Sequence, residues 1–405
     1  MTNRTVFANA KIFDGTGSPF ADGDVLVENG RIVDVGSGFE GDEVVDLTGR
    51  SLLPGFGDCH VHVMFDNVDI WGIMQKPFSL NFYEAAHALR KTLATGITSV
   101  RDAGGADLGV KTAVERGLIP GPRMLISLTM ISQTGGHGDG WLPSGMHYDL
   151  MANHPGVPSN LADGPEEVRK KVRELIRMGA DVIKVATSGG VLSPRSNPRH
   201  AHFDLAELEM LVNTAEGLGC HVMAHAQAYD GIKNAVRAGI RSIDHGIYLD
   251  DEAIDLMKQQ GTFLVPTLVA PTGVVKAAEA GISIPDASLI KAKEVIEIHR
   301  ESFSRAVAGG VKVAMGTDSA VTPHGENLEE LALMAEYGME SLDVLKAATS
   351  TAAECMDVAA DRGTIESGKR ADFVVIDGDP LDFSTMRERI AAVYLDGTLA
   401  SGQIA

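Results

Sequence analysis

The chain has 405 residues, 44% of them hydrophobic and 22% charged, the balance of a folded globular protein able to bury a large core without staples. Its 35 basic and 55 acidic residues leave a net charge of −20, which argues against nucleic acid or an anionic membrane as the main partner. Three cysteines (Cys59, Cys220, Cys355), no signal-like leader in MTNRTVFANAKIFDG and no run of ~18 apolar residues predict a cytoplasmic enzyme acting on a small molecule, not a secreted, disulfide-stapled or membrane protein.

From about Thr5 to Leu53, short alternating segments such as Val25–Val27 and Arg31–Val35 are broken by Asp14-Gly15, Asp22-Gly23 and Asn29-Gly30. Such dipeptides tolerate the positive φ of hairpin turns. The stretch from Gly363 onward has the same character, with Phe373–Ile376, Asp377-Gly378, Val393–Leu395 and Asp396-Gly397. Neither end alone makes a sizeable core. Residues 1–53 and 363–405 are therefore expected to pair into one small β-sandwich domain around a middle of 54–362.

The middle alternates apolar runs with helical stretches. The runs are Leu53–His62, Ile97–Gly104, Met124–Ser132, Val182–Thr187, His221–Ala226, Ser242–Gly246, Phe263–Leu268 and Val311–Ser319. Eight strand-like runs with intervening helices predict an α/β fold, a (β/α)8 TIM-like barrel. The segment from Gly135 to Gly164, rich in Gly, Pro, His and Asn, reads as one long loop, a lid or a solvated insertion.

Several of the 13 histidines fall at the ends of these runs, and in a barrel the carboxyl ends of the strands converge on one mouth. His60 and His62 stand at i and i+2, so both imidazoles can reach one cation from a single strand face. Lys184 sits among β-branched and small residues, where a bare ammonium is costly. It can pair with an acid, form a Schiff base with a carbonyl substrate, or react with carbon dioxide to a carbamate that bridges two cations. His225, His245 and Asp318 end the fifth, sixth and eighth runs. Nitrogen and oxygen donors without thiolates suit zinc, with manganese, iron or cobalt as competitors. Gly36-Ser-Gly-Phe-Glu-Gly41 matches a dinucleotide fingerprint in pattern but opens no helix. Cys59 alternates with His60 and is expected to serve packing.

Taken together, Pro54-Gly-Phe-Gly-Asp-Cys-His-Val-His62, Lys184, His225, His245, Gly316-Thr-Asp-Ser319 and the run from Gly363 to Asp377 resemble the amidohydrolase superfamily over almost the entire chain. Lys184 resembles the lysine of binuclear members, which is carboxylated and bridges two divalent ions. The resemblance implies that His60, His62 and Asp318 bind the more buried ion and His225 and His245 the more exposed one. A narrower likeness, to prolidase-like and Xaa-Arg dipeptidase-like bacterial enzymes related to imidazolonepropionase, rests on Ser99–Gly105, Ser132–Asp139 and Ser188–Ser193. It implies that His137 lies near the substrate and helps polarise its carbonyl. Where those enzymes often carry an aromatic residue or histidine directly after His225-Ala226, this chain has Gln227, with Tyr229 two residues on; both are candidate substrate-binding residues, Tyr229 as a supporting donor to the carbonyl. Arg195 and Arg199 are candidates for gripping a substrate carboxylate.

The reaction implied is hydrolysis of an amide-type bond in a dipeptide or N-acyl amino acid. A water activated between two ions would attack, with Asp318 as proton shuttle. Aryl ureas, carbamates and cyclic amides are alternative substrates. A Schiff-base aldolase at Lys184 and a non-catalytic metal-binding protein are the rival readings, and a homo-oligomer is expected.

Overall fold

The computed structural model describes residues 4–147 and 154–404. Strands from both ends of the chain share one eight-stranded sheet. Its hub, Arg4–Ile12, pairs antiparallel with Ala21–Glu28, which pairs in turn with Arg31–Gly36. On its other edge the hub pairs first with Glu43–Asp46 and then, through residues 11–12, with Arg50–Pro54. Arg50–Pro54 runs antiparallel to Phe373–Asp377, followed by Ile390–Leu395 and Thr398–Gly402. A register shift between Phe7 and Ala10, with Asn9 at φ 60°, falls where the hub changes partners on its other edge. Phe7 sits in the core of this sheet, edge-on to Phe373 and Tyr394 at 5.1 and 4.9 Å. Strands of the two ends are thus hydrogen-bonded to one another within a single sheet.

The middle holds two parallel sheets. Phe56–Val61, Ile97–Asp102 and Arg123–Ile126 form one; Met130–Ile131, Val182–Ala186, His221–Ala226, Ser242–His245 and Phe263–Val265 form the other. Helices such as Gly164–Arg177, Leu205–Glu216 and Tyr229–Arg237 cover their outer faces. Leu205–Glu216 starts at a reciprocal capping box between Asp204 and Glu207. Alternation sorts the strand residues: Ile183, Val185, Val222, Ala224 and Ile243 pack outward against Leu175, Leu208, Leu211 and Val236, in the largest core of the molecule.

Two expected runs are split. Leu53–His62 breaks at Gly55, where a Cβ would lie 2.2 Å from Thr98 Oγ1, so its first half joins the eight-stranded sheet and its second the parallel one. Met124–Ser132 breaks at Leu128, with φ 66°, and its halves join different parallel sheets. Asp181 spans that junction, its N–H donating to Ile126 O and its carboxylate accepting from Ile126 N–H.

The run Val311–Ser319 forms no regular strand, yet it lies between the two parallel sheets. Ala314 N donates to Leu264 O on one side, while Cys59 N donates to Met315 O and His62 N to Ser319 O on the other. The segment from 132 to 163 carries only isolated bridges among its described residues, and 148–153 of that expected loop lie outside them. Among the described residues no helix is long and apolar enough to cross a membrane.

Candidate metal centre

His60 comes from the inner face of Phe56–Val61, and His62 follows one residue past its end. The His62 ring donates from Nδ1 to Gly104 O at 2.9 Å, which leaves Nε2 as a lone pair facing Asp318 Oδ1 at 3.3 Å. His60 bonds Asp244 Oδ2 through Nδ1 at 3.0 Å and faces Asp318 Oδ1 through Nε2 at 3.4 Å. Two imidazole nitrogens and a carboxylate oxygen therefore converge, an arrangement relieved by a shared proton or a cation. The donor atoms of His60, His62 and Asp318 lie within 4.8 Å of one another, a group able to hold a divalent ion.

Asp318 reaches this point through a left-handed residue, φ 60°, with its N–H donating to His60 O at 2.7 Å. Buried Asp58 holds the preceding turn, accepting from Thr317 Oγ1 at 2.7 Å and Asn327 Nδ2 at 2.8 Å. Burial opposes ionisation of Asp318, but His60 and His62 hold its carboxyl well below the usual carboxylate range. His62 is itself pushed up, since Asp318 and Asp102 outweigh its burial. Asp102 accepts the N–H groups of Val63, Gly104 and Ala106 and so shapes the turn whose carbonyl orients His62.

Lys184 is buried in the middle of Val182–Ala186 and donates to Asp244 Oδ2 at 2.7 Å. Burial lowers its pKa even against the pull of Asp244, a shift toward the neutral amine, the form that attacks carbon dioxide. Asp244 also accepts from Ser242 Oγ at 3.1 Å and faces the fully buried Arg101 at 3.4 Å. Its carboxyl meets a burial penalty but is held far below its ordinary value by Lys184, His60 and Arg101.

His225 and His245 complete a run of imidazoles. Ring centroids are 5.0 Å apart for His60 and His245 and 4.7 Å for His225 and His245, and His137 stacks on His225 at 4.2 Å. His225 bonds Gly189 O through Nε2, and His245 bonds Thr267 Oγ1 through Nδ1. Burial drives the pKa of both rings well below the ordinary value, so they stand neutral, as metal ligands must. His137 is lowered to about 3, by burial first and then by His202 and Lys291.

All six proposed ligands and His137 line one cavity of about 100 Å³. Its remaining wall is largely apolar, with Phe65, Val68, Ile247, Pro271, Val274 and Val321 prominent. Gln227 also reaches it. His137 Nδ1 and Gln227 Oε1 are buried there with no hydrogen-bond partner among the described residues. Tyr229, Arg195 and Arg199 do not line this cavity. Tyr229 is exposed beneath Lys233, Arg195 lies over Trp141 in an adjoining groove that shares His137, and Arg199 lies over Tyr248. Cys59 faces away from the site and packs on Ala352 and Cys355.

Sequence reasoning passed over Asp244, Arg101, Asp58 and Asp102. The first was detectable, because strand alternation places Asp244 on the same face as Ser242. His245 joins that face only because its backbone takes φ 73°.

Histidine and carboxylate donors gathered at the carboxyl ends of parallel strands form a group able to hold a divalent ion, at the place where α/β enzymes carry their sites. The chain belongs to the amidohydrolase family, whose model matches residues 51–404, and it is a hydrolytic enzyme acting on amide-type C–N bonds in a family that generally uses divalent metals. Ochratoxinase from Aspergillus niger is 35% identical over 370 residues, covering 87% of this chain and 76% of that relative. A solved prolidase in complex with N-methylphosphonate-L-proline matches with a TM-score of 0.90 at 34% identity, over 99% of this chain and 100% of that one. A Xaa-Pro dipeptidase with bound methionine in its active site matches with a TM-score of 0.89 at 31% identity, over 98% and 100%. The chain is thus similar to prolidase-like members, as its motifs imply.

Proposed function

We propose that the chain is a binuclear metal-dependent hydrolase that cleaves the amide bond of a dipeptide or N-acyl amino acid bearing a bulky, uncharged group. The supporting observation is that His60, His62, Lys184, His225, His245 and Asp318 line one cavity whose other wall is mostly apolar. In this reading His60, His62 and Asp318 hold the more buried ion and His225 and His245 the more exposed one. Lys184, as N6-carboxylysine, would supply a further carboxylate oxygen donor to the ions, and zinc suits the donor set. Two such ions, when bound, supply Lewis acidity to the scissile carbonyl and bring the pKa of a water toward neutrality.

The chain's own residues carry the proton. Asp318, held ionised by its histidines, takes the proton of the attacking water and returns it to the leaving nitrogen. His137, neutral and with an unpartnered Nδ1, lies on the same wall and is suited to bond the carbonyl oxygen. Gln227 is placed to bind a substrate N–H through its unpartnered Oε1. Arg195 in the adjoining groove is the candidate for a substrate carboxylate. The same reading takes the two parallel sheets with the 311–319 segment as a (β/α)8 barrel spanning 54–362, and residues 1–53 with 363–405 as a β-sandwich domain.

A panel of Xaa-Pro and Xaa-Arg dipeptides, N-acyl amino acids, aryl ureas and carbamates on metal-replete protein tests the proposal. Hydrolysis of apolar N-acyl or dipeptide amides, abolished by a chelator and restored by zinc, is expected. Metal-loaded protein that turns over none of them contradicts it.

A further inference from the structure

The helix Asp286–Gly309 runs beside the loops that follow two of the ligand-bearing strands. His299 Nε2 bonds His245 O at 2.8 Å and Ser302 Oγ donates to Ile247 O at 2.7 Å, fixing the loop after Ser242–His245. One end of the same helix grips the loop after Val182–Ala186. Ser288 Oγ donates to Leu192 O at 3.0 Å, and Lys291 Nζ donates to the carbonyls of Gly190, Ser193 and Ser196 at 2.9, 2.5 and 3.1 Å.

Three N–H groups meet three carbonyls, and among the described residues no carboxylate pairs with this ammonium. A half-buried cation without a counter-ion is costly unless dipoles replace its water. Burial lowers its pKa to about 8, so the ammonium still predominates at neutral pH. In return the cation draws three carbonyls of one turn toward a single point, which like-oriented dipoles would otherwise resist.

The gathered turn abuts the site. Gly190 lies so close to His137 that a Cβ there would stand 2.3 Å from the ring, and His225 Nε2 bonds Gly189 O at 3.1 Å. The next two residues, Val191 and Leu192, form part of the cavity wall. We propose that Lys291 is a positioning residue: its ammonium holds the 190–196 turn in the conformation that backs His137 against His225 and closes the apolar wall. It touches no reacting atom. This inference rests on the reading of the cavity as the active site.

Lys291→Met keeps the apolar stem and removes the charge, and Lys291→Ala leaves room for added n-propylammonium. In hydrogen exchange on the metal-loaded protein, amides of 189–197 should exchange at least about tenfold faster in both variants. Added n-propylammonium should restore protection to Lys291→Ala, while guanidinium, too broad for the three converging carbonyls, should not. For the best apolar substrate, KM should rise and kcat fall together, because the apolar wall and His137 both lose their backing, lowering kcat/KM at least about tenfold, and metal content should stay at the wild-type level. Unchanged exchange across 189–197 in Lys291→Met, or an unchanged kcat/KM, overturns the assignment. If the wild type cleaves nothing in the panel, the proposed function fails, while the exchange result still decides whether Lys291 holds the turn.

Discussion

Replacing Asp244 by Asn removes the one carboxylate shared by Lys184, His60 and Arg101 while keeping its volume. Asp244 is fully buried, 2.7 Å from the Lys184 ammonium and 3.4 Å from the Arg101 guanidinium. In metal-free protein the change leaves the buried Arg101 guanidinium without its carboxylate and drives Lys184 further toward its neutral amine. Breaking a buried pair from one side costs about 3–5 kcal/mol, because the surviving charge stays desolvated. The retained Asn oxygen can still accept one bond, which places the expectation at the lower end of that range. At about 1.4 kcal/mol per decade, the folded-to-unfolded ratio should fall by roughly 10²- to 10³-fold. Urea denaturation of metal-free wild type and variant at neutral pH measures this directly. Adding Lys184→Met should recover part of the loss, since it deletes the buried amine left without its carboxylate partner, with a coupling of about 0.5–3 kcal/mol. A variant within about 0.5 kcal/mol of wild type would refute the view that Asp244 is the counter-ion on which the buried cations depend.

Asp318→Asn should retain much of its bound metal yet lose about 10²- to 10⁴-fold in kcat, read by steady-state kinetics beside elemental analysis. Near-normal turnover would show that the proton travels by another route. Glu330 is fully buried with its carboxylate on the Leu268 and Val269 N–H groups, and burial pushes its pKa up from 4.5 to about 8. The folded state therefore holds this proton more tightly than the unfolded chain. That contribution is complete below 4.5 and is lost as pH rises through about 8, at up to about 1.4 kcal/mol per unit. Glu330→Gln should flatten the decline in urea midpoint between about pH 5 and 8 relative to wild type. An unchanged slope would assign the decline to other groups.

The ligand candidates could be read from the chain because each stands at or near the end of an apolar run, and strand ends of a parallel sheet converge. The pattern could not show how His245 and Asp318 reach the common point. Both depend on left-handed backbone, φ 73° and 60°, which strand alternation does not anticipate. Strand alternation does place Asp244 inward, on the face of Ser242, but expecting His245 inward as well puts the two consecutive residues in conflict. Arg195, Arg199 and Tyr229 were selected for chemical type, but their directions are set by Trp141, Tyr248 and Lys233, contacts that no local pattern encodes. Expecting Val311–Ser319 as a regular strand failed for a related reason. Its backbone changes partner from Leu264 to Cys59 within a few residues and then turns sharply at Asp318.

Anomalous diffraction from crystals of zinc-loaded protein tests the account most directly. It predicts two peaks, one among His60, His62 and Asp318 and one beside His225 and His245, with density extending from Lys184 Nζ between them. Zinc bound elsewhere, or Lys184 still an unmodified ammonium on Asp244 beside a single ion, would contradict a bridged pair as the seat of catalysis.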